Sequence, residues 1–527
     1  MNDREPNEST RLLASHGQEN ESPLIQPEGN EGVASSPPGA RRTILAVVSV
    51  QVILYIGSFV SLAAQLAILE DIVCKKYYEE RLPTFNVSGE DRCKADAVQS
   101  EVAFINGWKD VFEILPAIAL AVPYGALADR IGRKKVFLLA IIGIALNDLW
   151  IRVVFWFHDL FPVRAVWLSG VWQAIGAGAA TLSSLSHVMV ADVCPSDQRT
   201  TAFSYLQSAT MVAQFLFVPI GGSLIPIDPW IPMFISTAAT ALGFLGALFF
   251  IPETIPPTAL GNHNRVVDTE TSVEEESSGR IRNPDSVKAN SPEIWKAVKS
   301  TTKTTARWVF AHGKLVLVLT CFFMCSIGQQ AGGSLFLQYA SKRLDWSLGK
   351  ASFFISLGAG INLVVHAIGI PALSSFMLWR LNLHEILKDK RIAQISGLFL
   401  VLGTGTTFAA GSWASLAAGQ VLTSLGLAFV VPARSIVTSM VPKKHLAALY
   451  TAISVLLYGG MLTGAPLLAA AFHWGLRIGG LWLGMPFFLA CVCFSLASLA
   501  VSSAPSNIDA GHDVVSEVED EVDRTGF

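Results

Sequence analysis

The chain has 527 residues, of which 51% are hydrophobic and 15% are charged, and its formal net charge is −3 at pH 7. Soluble domains carry about 25% charged residues, so a soluble globular fold is excluded for most of this chain. The composition is typical of a polytopic membrane protein.

Twelve apolar stretches follow one another along the chain, and each is long enough for a helix to cross a hydrocarbon core of about 30 Å. Their bounds are 43–69, 103–127, 136–157, 164–191, 202–225, 230–251, 314–340, 351–377, 393–411, 413–440, 446–472 and 475–502. Helices satisfy their own backbone hydrogen bonds where no water is present. We therefore predict an all-α membrane protein with twelve transmembrane helices.

Polar segments divide these spans into two sets of six. The expected units are a disordered cytoplasmic tail at 1–42, a six-helix bundle at 43–251, a cytoplasmic linker at 252–313, a second six-helix bundle at 314–502 and an acidic cytoplasmic tail at 503–527. The first tail and the linker are rich in Ser, Asn, Pro and Glu, which is typical of flexible segments. In transporters with two such bundles, the substrate site lies at their interface near the membrane midplane.

Basic residues concentrate in alternate loops between the spans. They are Arg41, Arg42, Arg130, Arg133, Lys134, Lys135, Lys388, Lys390, Arg391, Lys443 and Lys444. By the positive-inside rule these loops are cytoplasmic, which places both chain termini inside. Lys342, Arg343 and Lys350, which follow the seventh span, weaken the contrast between the two sets of loops.

The loop at 70–102 carries Cys74, Cys93 and the glycosylation sequon at Asn86. On an oxidising, outer side of the membrane, the cysteines would form a disulfide and Asn86 would carry a sugar. Closing this loop of ~18 residues would contribute about 3 kcal/mol in the chain-entropy model. The alternative is a pair of unpaired thiols and an unused sequon.

The charged loop between the second and third spans carries the most specific motif. Residues 125–135 read Gly-Ala-Leu-Ala-Asp-Arg-Ile-Gly-Arg-Lys-Lys, which resembles without a gap the loop signature between helices 2 and 3 of the major facilitator superfamily. The resemblance implies a gating motif formed by Gly125, Asp129, Arg130, Gly132 and Arg133, in which the aspartate is the centre of a charge relay that holds the cytoplasmic side closed. The alternative is a basic loop that only sets membrane topology.

Other stretches resemble the superfamily in part. Residues 168–180 are similar to its second signature, but Trp172 stands at the position of the arginine that is linked to proton transfer. Residues 219–222 resemble the end of a drug/proton antiporter signature, which favours export, and Pro252-Glu253-Thr254 resembles the close of the first bundle. The long first outer loop and residues 338–343 resemble fungal members near the tetracycline-efflux and proton-coupled folate transporter branches.

Ionisable side chains inside spans cost about 2.5 to 3.5 kcal/mol each, so they mark functional sites by default. Glu113 follows Lys109 by four residues in the second span, and Arg152 follows Asp148 by four in the third, so each pair shares one helix face. Glu113, Asp148 and Arg152 are therefore the proton-pathway candidates. The alternative is a set of salt bridges that only orient the bundle, with Lys109, Asp110 and Arg152 extending towards the outer surface.

Uncharged polar and aromatic residues inside the spans are candidates for a substrate cavity. They are Gln51, Tyr55, Gln173, Gln329, Gln330, Asn362 and Tyr458. A cavity lined by these residues would be uncharged and amphipathic. The alternative role of each is a hydrogen bond between helices.

Together these features predict a secondary active transporter that moves a small organic solute by alternating access, coupled to protons, with export favoured. The expected partners are the solute, protons and the lipid bilayer, with no nucleic acid, and the expected state is a monomer. One alternative is proton-coupled uptake of a nutrient or vitamin-like solute. Another is a solute sensor without net transport.

Enzyme, cofactor and metal chemistry are not expected. The sequence has no His-Glu-x-x-His zinc pattern, no nucleophile elbow and no phosphate-binding loop. The plasma membrane is the expected location. Residues 8–13, Glu-Ser-Thr-Arg-Leu-Leu, have the form of an acidic dileucine signal, which would instead favour a vacuolar or endosomal membrane.

Overall fold

The computed structural model describes residues 40–81, 93–194, 199–254, 313–380, 385–441 and 446–504. The sequon at Asn86, most of both terminal tails and nearly all of the linker lie outside the described residues. We number twelve helical segments in chain order. They are α1 Ala40–Arg81, α2 Asp96–Ile131, α3 Arg133–Trp156, α4 Val163–Val193, α5 Arg199–Leu224, α6 Trp230–Phe250, α7 in two pieces Gly313–Gln329 and Ser334–Leu344, α8 Leu348–Trp379, α9 Glu385–Ala409, α10 Trp413–Ser439, α11 Leu446–Ile478 and α12 Gly480–Ser502.

Each helical segment contains one of the apolar stretches to within a few residues. Ten of them are long and apolar enough to cross a membrane, and α2, which bends by 53° at Pro123, makes an eleventh. Proline has no backbone N–H, so the hydrogen-bond ladder of α2 is interrupted at this bend. The remaining segment, α5, packs against α1 and α8. The all-α fold predicted from hydropathy is confirmed.

Several helices extend beyond the predicted spans, among them α1 and α11. The first helix continues to Arg81, well beyond the apolar stretch that ends at 69. The chain also remains in α11 to Ile478, so the first residues predicted for the last span belong to the preceding helix. Both extensions are polar or amphipathic at the membrane boundary, where hydropathy alone does not define a helix end.

The twelve segments pack as two halves, α1–α6 and α7–α12, that meet along two seams. In the first half α1 lies against α5 and α6, and in the second α9 lies against α10 and α12. The seams pair α2 with α11 and α5 with α8. Gly107 of α2 lies directly against Ala469 of α11, and Gly222 of α5 against Gly349 of α8, because small side chains let helix backbones approach closely.

Cys74 in α1 and Cys93 just before α2 form a disulfide, with their Cα atoms 5.2 Å apart. We call the end of the molecule that carries this bond the disulfide end. The opposite end carries the Gly132 turn between α2 and α3, and we call it the Gly132 end. The full length of α2 separates the two.

We expect the double substitution Cys74→Ser and Cys93→Ser to lower the stability of the folded protein by about 3 kcal/mol, the entropy of closing a loop of this length. The measurement is the thermal unfolding midpoint of the purified protein with and without the substitutions. The control is Cys491→Ser, because Cys491 is a free cysteine. An unchanged midpoint in the double variant would contradict the prediction.

The fourth helix is broken near its middle. Three consecutive residues, Gly176, Ala177 and Gly178, have φ angles of 79°, 54° and 59°, a left-handed region that glycine enters freely and alanine rarely. The hydroxyl of Tyr124 donates to the carbonyl of Ala174 at 2.8 Å, which satisfies one acceptor freed by the break. Gln173 lies at the end of the first piece.

Candidate functional site

The Gly132 turn is held by a carboxylate from the end of α6. Gly132 has a φ of 108°, and a side chain there would collide with the carboxylate of Glu253. Glu253 accepts hydrogen bonds from the backbone N–H groups of Arg133, at 2.9 Å, and Lys134, at 3.3 Å. A negative charge at a helix N-terminus satisfies unpaired N–H groups and opposes the positive end of the helix dipole. The turn is therefore capped from α6.

Arg133 links this turn to the end of α4. Its guanidinium forms an ion pair with Asp192 of α4 and lies 3.7 Å from the carboxylate of Asp129. The side chain of Arg133 is 16% exposed, whereas that of Asp129 is 59% exposed. In this conformation Arg133 is the buried centre of the motif, and Asp129 lies at its solvent edge.

The other two residues of the gating motif make fewer contacts. Arg130 is exposed, and a side chain added at Gly125 would have no neighbour within 4 Å. Of the two glycines of the motif, Gly132 is therefore tightly packed and Gly125 is not.

A cluster of charged and polar groups lies between α2, α3 and α4. Glu113 is at its centre, and its Oε1 atom lies within 3.5 Å of three donors. These are Nζ of Lys109 at 3.5 Å, Nδ2 of Asn147 at 3.4 Å and Oγ of Ser169 at 3.3 Å. Three helices thus direct donors towards one carboxylate, which holds Glu113 in place and reduces the cost of its charge.

Two further ion pairs complete this cluster. Nζ of Lys109 lies 3.4 Å from the carboxylate of Asp110, and a guanidinium nitrogen of Arg152 lies 3.6 Å from that of Asp148. Nε of Arg152 also donates to the carbonyl of Met233 in α6 at 3.3 Å. The side chains of Lys109 and Arg152 are largely buried, so they turn into the cluster and do not extend to the membrane surface.

Asp110 connects the cluster to the seam between the halves. It lines a cavity of about 20 Å³ together with Asn106 of α2 and Gln330, Ser334 and Gln338 of α7. This volume suits about one water molecule. Asp110 therefore lies between the small cavity at the seam and the pair that Lys109 forms with Glu113.

A larger cavity of about 170 Å³ lies in the second half. Its lining comes from α7, α8, α9, α10 and α12, with Gln214 of α5 added across the seam. The polar groups are amides and hydroxyls, among them Gln329, Asn362, Gln420 and Ser424. The apolar part of the lining includes Phe336, Ile355, Leu427, Phe487 and Phe494.

The cavity residues predicted from sequence separate into different places. Gln329 and Asn362 line the larger cavity, and Gln330 lines the small one at the seam. Gln51 is buried in α1 and donates to Tyr55 at 3.3 Å, while Gln173 lies at the break in α4. Tyr458 is half-buried in α11 and lines neither cavity.

Several site residues were missed by sequence reasoning. Asp192 and Glu253 hold the Gly132 turn, Asn147 and Ser169 bind Glu113, and Gln420 and Ser424 line the large cavity. For Asn147, Ser169, Gln420 and Ser424 the available signal was a polar residue inside an apolar span. Gln420 and Ser424 are also four residues apart, which places both on one face of α10.

A polar network joins the halves at the disulfide end. Nζ of Lys94 lies 2.7 Å from Oε1 of Glu70 in α1 and 2.7 Å from Oγ of Ser341 in α7. Gln338 of α7 donates to Gln99 of α2, at 2.6 Å to its carbonyl and 3.0 Å to its side chain. The side chains of Lys94 and Glu70 are 13% and 9% exposed. We call this network the Lys94 lock.

Hydrogen bonds and ion pairs that join described residues of the two halves all lie towards the disulfide end. Besides the Lys94 lock they are Lys342 to Asp96 and Lys94, Ser100 to His473, Asn106 to Ser334 and Ser356 to Phe215. The halves are therefore fastened at the end that carries Cys74 and Cys93.

The described residues thus form twelve helical segments in two halves, with partly buried charges in the first half and a cavity without charged lining in the second. The sequence model of the Major Facilitator Superfamily matches residues 106–384. The chain belongs to this superfamily, and it is an integral, multi-pass transmembrane transporter and not an enzyme.

Similar proteins from fungi and bacteria support the assignment to this superfamily. The chain is 40% identical to "Efflux pump ustT" of Aspergillus flavus over 451 residues, 86% of each protein. It is 29% identical to "MFS efflux pump atnC" of Emericella nidulans, with 92% of each covered. A shorter match, 31% identical over 29% of this chain and 35% of the relative, is to the class B tetracycline resistance protein of Escherichia coli. The resemblance to fungal members near the tetracycline-efflux branch is thus confirmed.

Solved structures share the fold. A bacterial homologue of the iron transporter ferroportin, crystallised in an inward-facing state, superimposes with a TM-score of 0.57 at 13% identity and covers 88% of this chain and 98% of its own. At this identity the match supports the fold alone.

Proposed function

We propose that this protein exports a small organic solute by alternating access, with proton entry as the driving reaction. The observation that carries the proton part is the partly buried cluster around Glu113, whose own side chain is 21% exposed. Export is supported by the relative named as an efflux pump, which is 40% identical over 86% of both chains.

The charges of the cluster support a one-proton exchange. It contains three carboxylates, on Asp110, Glu113 and Asp148, and two cations, on Lys109 and Arg152. Unbalanced charge is costly in a low-dielectric interior. The cluster is electrically neutral when one of its carboxylates holds a proton and carries a net charge of −1 when that proton is released. Asn147 and Ser169 stabilise either form of Glu113, because an amide and a hydroxyl can both donate and accept.

The arrangement of the halves supports alternating access. They are fastened by the Lys94 lock at the disulfide end, while Asp129 at the Gly132 end is exposed. We assign this arrangement to the state that is open at the Gly132 end. In the opposite state the Lys94 lock opens and the gating motif closes the other end, and exchange between the two moves solute and proton in opposite directions.

We expect Lys94→Ala to shift the protein towards the state that is open at the disulfide end, because it leaves the buried carboxylate of Glu70 without its cation. The measurement is the rate at which a membrane-impermeant maleimide labels a cysteine placed at Asn106 in the seam. If loss of the ion pair costs about 1.4 kcal/mol, this labelling rate should rise about tenfold. The control is Lys75→Ala, since Lys75 pairs with Asp71 on the exposed surface. Equal labelling in both variants would show that the Lys94 lock does not hold the seam.

The decisive experiment compares metabolites inside and outside cells that lack or overproduce the protein, followed by flux of the identified solute in proteoliposomes. An exporter depletes the cell of its solute, and an imposed pH gradient drives that solute against its own gradient. Accumulation inside the cell would instead favour the uptake alternative. Solute binding without flux would favour the sensor.

We further propose the membrane placement predicted from the basic loops. The two halves at 43–251 and 314–502 are joined by a cytoplasmic linker, both termini are cytoplasmic, and a monomer acts at the plasma membrane. Glycosidase treatment should shift the gel mobility of the protein through the sugar at Asn86. Fluorescent tags at the termini should be shielded from an external quencher, as expected for cytoplasmic termini. Their fluorescence should follow the plasma membrane and not vacuolar or endosomal membranes.

A further inference from the structure

The large cavity of the second half has unused hydrogen-bonding capacity. Ser424 is 0% exposed and its Oγ atom has no partner, and neither has the buried Oδ1 atom of Asn362. The half-buried side chains of Gln214 and Gln420 add two further amides to the same lining. A buried polar group without a partner is costly, so these groups are poised for a ligand that supplies the missing bonds.

The hydroxyl groups of the cavity differ in what they can offer. Thr404, Thr407 and Thr423 each donate to a carbonyl of their own helix, at 2.7, 2.9 and 2.8 Å. Their protons are used, and their oxygen atoms remain as acceptors only. Ser424 and the amide groups supply the donors. The lining as a whole therefore presents both donors and acceptors.

The large cavity is also distinguished by the absence of charge among the described residues of its lining. The described lining contains no ionisable side chain, and the six predicted spans of the second half contain no Asp or Glu. His366, one turn after Asn362, bonds the Asn362 carbonyl through Nδ1 at 3.0 Å and is not part of the lining. A carboxylate or ammonium group that entered the cavity would lose its hydration and find no opposite charge.

We propose that this cavity binds an uncharged, hydrogen-bonding headgroup of the transported solute, such as an amide or a lactam, and rejects carboxylate and ammonium groups. The inference deepens the proposed function, on which it rests, by defining the chemical class of the solute. The volume of about 170 Å³ is below the ~300 to 1,000 Å³ of a site for a whole drug-sized ligand. The headgroup therefore occupies the cavity, and the remainder of the solute extends past Gln214 towards the space between the halves.

The test uses a reporter cysteine and three six-carbon probes whose headgroups are a neutral amide, a carboxylate and an ammonium group. Ala359 lines the cavity and has no polar group to lose, so Ala359→Cys places a thiol there without removing a hydrogen-bonding residue. The purified full-length variant is alkylated with iodoacetamide in the presence of hexanamide, hexanoate or hexylamine, and labelling of each cysteine is quantified by peptide mass spectrometry. Native Cys491, which is half-buried, serves as the reference in the same sample.

We expect hexanamide to slow the alkylation of the cysteine at 359 by about threefold to tenfold, the factor that one hydrogen bond or slightly more supplies. Hexanoate and hexylamine should change the rate by less than about twofold, because neither charge has a partner in the cavity. Labelling of Cys491 should not change with any probe. Equal protection by all three probes, stronger protection by a charged probe, or no protection by hexanamide would each overturn the proposal.

Substitutions at Gln420 separate recognition from simple access. On the reporter background, Gln420→Leu should remove protection by hexanamide, and Gln420→Glu should give protection by hexylamine in its place. If the cavity distinguished the probes by size alone, the three probes would protect the cysteine in the same order of strength in both variants. That result would also overturn the proposal. The assay measures binding without flux, so absent flux in proteoliposomes would count against the proposed export and leave the binding result standing.

Discussion

Replacing Glu113 with glutamine is expected to abolish the proton dependence of transport. The substitution preserves the size of the side chain, and its amide oxygen can still accept from Asn147 and Ser169, but it removes the carboxylate at the centre of the cluster. One carboxylate and one cation then pair at each side, Asp110 with Lys109 and Asp148 with Arg152. The cluster is neutral without an added proton, so a pH gradient no longer drives the cycle.

The measurement is the rate of solute flux in proteoliposomes as a function of pH and of an imposed pH gradient. The wild type should respond to both, and the Glu113→Gln variant should show gradient-independent exchange of solute only. Glu101→Gln is the matched control, because Glu101 lies on the same helix in an exposed pair with Arg164. A variant that kept the wild-type pH profile would assign Glu113 a structural role.

The second large effect concerns the Gly132 turn, where two substitutions should separate gating from folding. Asp129→Asn is expected to impair transport severely while protein amount and thermal stability change little, because the exposed carboxylate of Asp129 contributes little to this conformation. Arg133→Ala is expected to reduce both transport and stability, since it leaves Asp192 without its cation and removes a largely buried side chain.

The measurements are solute flux and the thermal unfolding midpoint of each purified variant. Lys135→Gln provides the control for loss of a positive charge in the same loop, because Lys135 is exposed and no ion pair joins it to another described residue. Wild-type flux in Asp129→Asn would defeat the gating assignment. An unchanged midpoint in Arg133→Ala would show that the pair with Asp192 does not stabilise the turn.

The helices could be predicted from sequence because a bilayer leaves the backbone few options. A helix is the structure that satisfies the N–H and C=O groups of a single span, so apolar length alone located all twelve segments. The pairs Lys109 with Glu113 and Asp148 with Arg152 followed from their spacing of four residues. Both inferences concern residues that are close together in the sequence, so the spacing along the chain is enough to predict them.

Partners from other helices could not be predicted in this way. Asn147 and Ser169 lie 34 and 56 residues from Glu113, and Glu253 lies 120 residues from Arg133. Only the packing of the helices places these groups together. The same holds for Ser424, whose Oγ atom is seen to lack a partner only when its neighbours in the structure are known.

The break in α4 shows a different limit. The run Gly176-Ala177-Gly178 reads as a small-residue stretch suited to close helix packing. In the structure all three residues are left-handed, and the helix is interrupted. Composition cannot distinguish the two outcomes, because glycine permits both a close contact and a positive φ.

The ionised groups lie in α2 and α3, whereas the neutral cavity lies among α7–α12. This separation affects how such carriers can diversify. Substitutions around Gln420 and Ser424 can change which compound is accepted while the acidic and basic groups near Glu113 stay untouched. On the function proposed above, gene duplicates would therefore acquire new cargo through changes in one half alone and inherit an unchanged proton site from the other.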